Sequence, residues 1–88
     1  MGNLLLLTIE GAVSLSALEI LIMPIVPSEY KPKQIETSVL LKLPDGTNQV
    51  VDAIFGGPSY SINKNYVCIL KGINQEDIVV GTEVWVYE

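Results

Sequence analysis

The chain has 88 residues, 49% of them apolar, and this is the length of one domain, able to bury roughly 60–65% of its unfolded surface. Five lysines stand against ten acids for a net charge of −5, with no arginine and no histidine. Nucleic-acid and anionic-membrane binding draw on Lys and Arg to neutralise phosphate, so this balance disfavours both.

Read from the N-terminus, the β signal dominates. "NLLLLTIE" (3–10) is an apolar run that reads as a first strand. It is not a secretory leader, because no basic region precedes it and Glu10 cuts it short. Leu6 stands where a myristoylation signal needs Ser or Thr. The leucines at 4–7 put apolar side chains on both faces of the strand, and the expectation is that the fold covers both. "LEILIMPIV" (18–26) reads as a second strand, with Pro24 marking an edge position or a bulge. A membrane-spanning helix needs about 20 apolar residues, and "ILIMPIV" falls well short.

"PSEYKPKQ" (27–34) reads as a loop, and "ETSVLLKL" (36–43) as a third strand with Thr37, Val39, Leu41 and Leu43 on one face and Glu36, Ser38 and Lys42 on the other. "LPDGTN" (43–48) is the clearest turn: Pro44 presets a type I turn and Gly46 takes the left-handed position of a bulged hairpin. "QVVDAIF" (49–55) then returns antiparallel, and "GGPSYSINK" (56–64) is a loop. The last two strands are "YVCIL" (66–70) and "EVWVY" (83–87). Between them Gly72 and Gly81 make corners around "NQED", a single helical or 3₁₀ turn that Asn74 is placed to cap.

Six short strands without an amphipathic helix predict an all-β chain, a single domain over 1–88. The expected form is a small closed or nearly closed barrel, because closure removes open sheet edges. The C-terminal stretch "VCILKGINQEDIVVGTEVWV" resembles the end of the β-barrel second domain of translational GTPases of the elongation factor Tu type. Leu70, Gly72, Ile73, Glu76, Asp77, Ile78 and Gly81 match that pattern in order. The resemblance implies an elongation factor Tu domain 2-like barrel, with no GTPase domain and no P-loop in the chain. It implies, as an alternative function, a nucleic-acid or ribosome-linked accessory domain. That role would need Lys31, Lys33, Lys42, Lys64 and Lys71 to gather on one face.

The residue types of most active sites are missing. Without histidine there is no Ser-His-Asp or Cys-His arrangement, and one cysteine cannot build a zinc site. No motif marks a Ser–Lys pair. "PDGTN" has one acid where a calcium loop needs several, and "FGGPSY" lacks the lysine of a phosphate cradle. A solvated turn accounts for Glu76 and Asp77. Cys68 reads as an inert buried thiol, and a lone cysteine points to a reducing, cytoplasmic compartment. The expectation is therefore a non-enzymatic, cofactor-free module that acts through a protein partner or through self-association. Its candidate interface is the face of the last strand that carries Glu83, Trp85 and Tyr87, opposite Val84 and Val86.

Overall fold

The computed structural model describes residues 3–24, 26, 27, 30, 34–56 and 66–87. Seven strands form one sheet: β1 (Asn3–Thr8), β2 (Gly11–Ser16), β3 (Glu19–Met23), β4 (Glu36–Lys42), β5 (Asn48–Gly56), β6 (Val67–Lys71) and β7 (Glu83–Tyr87). Their order is β1-β7-β4-β5-β6-β3-β2, and each pair of neighbours is antiparallel. A 3₁₀ turn, Gln75–Asp77, lies between β6 and β7, and there is no α-helix among the described residues.

Alternation along the strands builds the core. Val39 and Leu41 of β4, Val51, Ala53 and Phe55 of β5, and Val84 and Val86 of β7 are buried, as are Ile20 and Ile22 of β3. In β1 the register against β7 slips between Leu5 and Leu7, so the consecutive Leu6 and Leu7 are both buried. Leu4 and Leu5 remain exposed, so the fold covers only part of the leucine run.

The β4–β5 hairpin forms as its turn residues dictate. Gly46 donates its N–H to Leu43 O at 3.0 Å, Leu43 donates to Thr47 O at 2.8 Å, and Gly46 sits at φ +94°. Asp45 braces the turn, accepting the Thr47 hydroxyl at 2.7 Å and the Thr47 N–H at 2.9 Å. These bonds to Thr47, the hydroxyl first, hold the Asp45 carboxyl below its ordinary pKa.

Three expectations need correction. The N-terminal run is not one strand over 3–10: it ends at Thr8, and a seventh strand, β2, follows it. Pro24 marks neither an edge nor a bulge, because β3 ends at Met23 and lies between β2 and β6. Asn74 makes no side-chain cap; the turn closes through Asp77 N–H to Asn74 O, at 3.0 Å, and Ile78 N–H to Gln75 O, also at 3.0 Å.

The two edge strands, β1 and β2, are consecutive in the chain. Ile9 donates to Thr82 O at 2.8 Å and accepts from Gly81 N–H at 2.9 Å, next to β7. Its neighbour Glu10 donates to Met23 O at 2.8 Å, at the end of β3. The chain thus leaves one end of the sheet and joins the other within two residues. No ladder pairs β1 with β2 among the described residues, and the sheet is not hydrogen-bonded into a closed cylinder.

Candidate protein-binding face

Strand pairing sorts the outward side chains into rows that run across the sheet. Leu5, Trp85, Leu40 and Val50 stand directly opposite one another on β1, β7, β4 and β5. Val50 is 60% exposed and Leu5 42%, while Leu40 and Trp85 are half-buried. On one side lies a polar row of Thr8, Glu83, Lys42 and Asn48. On the other lie Ser38 and Asp52, continuing through Lys71 and Glu19. Beyond these comes a second apolar row, Val13, Leu21, Ile69 and Ile54.

Trp85 is held in place from two directions. Its Nε1–H donates to Glu83 Oε1 at 3.0 Å, two residues away on the same face of β7. Lys42 Nζ lies 4.4 Å from the ring centroid, within cation–π range. A large ring fixed in one orientation loses little rotamer freedom when a partner covers it. Tyr87 shares the outward side of β7, opposite Asn3, and is exposed. The structure therefore brings Glu83 and Trp85 together, adds Lys42, and leaves Tyr87 in a position with fewer neighbours.

The sequence does not single out Leu40 or Val50, and it presents Lys42 on the polar face of its strand and as one of five lysines, not as a neighbour of Trp85. Alternation places Lys42 on the outer face of β4 and Trp85 on the outer face of β7, but no local signal says that β4 and β7 are neighbours. Lys42 and Lys71 lie in separate rows, each opposite acids: Glu83 for Lys42, Asp52 and Glu19 for Lys71. Lys31, Lys33 and Lys64 lie outside the described residues, as do residues 57–60 of "FGGPSY".

The corner glycines at 72 and 81 have φ +76° and +98°. Cys68 is buried, and that burial pushes its thiol from 9.0 up to about 12. No group of three or more potential metal ligands occurs among the described residues. No helix among them is long and apolar enough to cross a membrane.

The chain is all-β, one antiparallel sheet whose outer face alternates apolar and polar rows. Comparison with protein-family models, with curated proteins and with solved structures finds no match. No match links the chain to the second domain of translational GTPases.

Proposed function

We propose that this chain is a non-catalytic binding module that acts through protein–protein contacts, with the Leu5–Trp85–Leu40–Val50 row as its contact surface. The observation that carries this reading is a braced, half-buried tryptophan at the middle of an outward apolar row. Polar rows flank it, giving the apolar centre and polar rim of a protein interface. Tryptophan is the residue type most enriched among those that dominate binding energy. We read the sheet as wrapped into a small barrel like the second domain of elongation factor Tu-type proteins. The support is that its two edge strands adjoin in the chain and change partners at Ile9–Glu10.

The test is sedimentation over a concentration series, with a pull-down against cell extract, for the parent chain and Trp85→Ala. Loss of a hot-spot tryptophan should weaken self-association or partner capture by about 2 kcal/mol, some thirtyfold. If Trp85→Ala leaves the assembly state and every captured partner unchanged, this surface is not the interface.

A further inference from the structure

The sheet ends at β2, and the backbone there is turned outward in a regular way. Gly72 N–H donates to Leu18 O at 2.8 Å, in register with the β3–β6 ladder, so Leu18, Ile20 and Ile22 turn their backbone groups toward β6. Leu21 and Met23 therefore turn theirs toward β2, where they meet Val13 and Gly11. The backbone groups of Ala12 and Ser14 are left pointing away from the sheet. Two bonds agree with this alternation. Glu10 N–H reaches Met23 O at 2.8 Å, and Ala12 O accepts Gln75 Nε2 at 3.2 Å from outside the ladder. No strand pairs with that side of β2 among the described residues.

An open edge invites pairing, and sheets guard it with charge, proline or a cover. Residues 11–18 hold no charged residue and no proline. Cover is slight too: Ser14 and Ser16 are exposed, Val13 is 46% exposed and Leu15 51%. The other edge strand, β1, has Leu6 and Leu7 buried, so β2 is the edge that stands clear. The exposed Gln75 side chain bonds this edge at Ala12, whose carbonyl keeps a second lone pair. The register slips between Ser14 and Ser16, which ends the regular edge. Ala12 and Ser14 are thus the groups on offer, placed evenly about Val13.

We propose that this edge pairs with β2 of a second copy of the chain, antiparallel and two-fold about Val13. Ala12 then faces Ser14 of the second copy, and Ser14 faces its Ala12. Each of those pairs exchanges both N–H···O bonds, so every outward group of Ala12 and Ser14 is used. Val13 meets its own counterpart in the non-hydrogen-bonded position, where opposed side chains come closest. Val13 also ends the outward row Val13, Leu21, Ile69 and Ile54, so the rows of the two copies join into one. Two chains of −5 repel one another, and this uncharged strand lets them approach. An unrelated extended peptide would gain the backbone bonds but neither the valine pair nor the joined rows. The inference goes beyond the reading of the Trp85 row and makes no use of it.

The experiment is sedimentation and amide hydrogen exchange of the ¹⁵N-labelled chain over a concentration series. We expect a monomer–dimer equilibrium in which the Ala12 and Ser14 amides exchange more slowly as concentration rises. The Val13 amide, bonded to Leu21 within the chain, should be protected at every concentration. Val13→Lys and Val13→Glu set like charges face to face, and each should weaken the dimer about tenfold or more. An equimolar mixture of the two should restore it. Ser14→Pro removes an outward N–H without touching a bond to β3 and should also dissociate the dimer. Trp85→Ala should leave it unchanged.

A chain that stays monomeric at every concentration overturns the proposal. So does a dimer that both Val13 variants keep, a mixture that fails to restore it, or Ala12 and Ser14 amides whose exchange ignores concentration. A dimer that Trp85→Ala dissolves while the Val13 variants keep it would overturn this pairing and assign self-association to the Trp85 row.

Discussion

Cys68 shows how one position reads out its environment. Its side chain has no solvent exposure, and no resolved interaction offsets the loss of hydration of a thiolate. The folded thiol therefore holds its proton more tightly than the unfolded one, with 9.0 raised to about 12. Stability from this group is complete below pH 9 and falls by about 1.4 kcal/mol per pH unit from there up to about pH 12, because over that window the unfolded state releases a proton that the folded state keeps. Cys68→Ala removes this slope. Urea unfolding at pH 7.5 and at pH 10 should show the parent losing about 1.4 kcal/mol more than the variant between the two conditions. An equal loss would mean that the thiol is hydrated in the folded chain.

At the scale of the element, the β4–β5 hairpin depends on one backbone conformation. Gly46 sits at φ +94°, and a Cβ added there would meet nothing within 4 Å. The cost of Gly46→Ala is thus purely that of the left-handed conformation, about 1–2 kcal/mol. Gly46→Asn should cost less, since asparagine tolerates that region. The check is the urea midpoint of each variant at unchanged slope. Equal midpoints for alanine and glycine would show that the turn can relax to negative φ.

At the scale of the whole molecule, the first and last strands pair. β1 pairs with β7 from Asn3 opposite Tyr87 to Thr8 opposite Glu83. This pairing joins residues about eighty positions apart, the kind of long-range contact whose closure entropy slows folding. Leu6 and Leu7 are buried from β1, worth about 1.5–3 kcal/mol each. The whole domain has about 4–13 kcal/mol to lose. Removing residues 1–8 should abolish the cooperative thermal transition and collapse the amide dispersion. A truncated chain that still melts cooperatively would place β1 outside the folding unit.

The sequence by itself determined what is local. Alternation put Val39 and Leu41 on one face of β4 and Val84 and Val86 on one face of β7, and Pro44 with Gly46 specified the hairpin, because period and turn chemistry act over a few residues; that these faces point inward came from the structure. The sequence did not reveal β2: "GAVSLS" alternates over only four residues, Val13 to Ser16, and its apolar Val13 and Leu15 are exposed, so the pattern marks no buried face. Nor did it place Lys42 over Trp85, or bury Thr82 Oγ1 without a hydrogen-bond partner among the described residues. Those depend on β4 lying beside β7 and on Ile9 meeting Thr82 across more than seventy residues of chain. Only the tertiary structure decides such neighbours, because strand order is set by how the entire apolar surface is buried and not by any one segment.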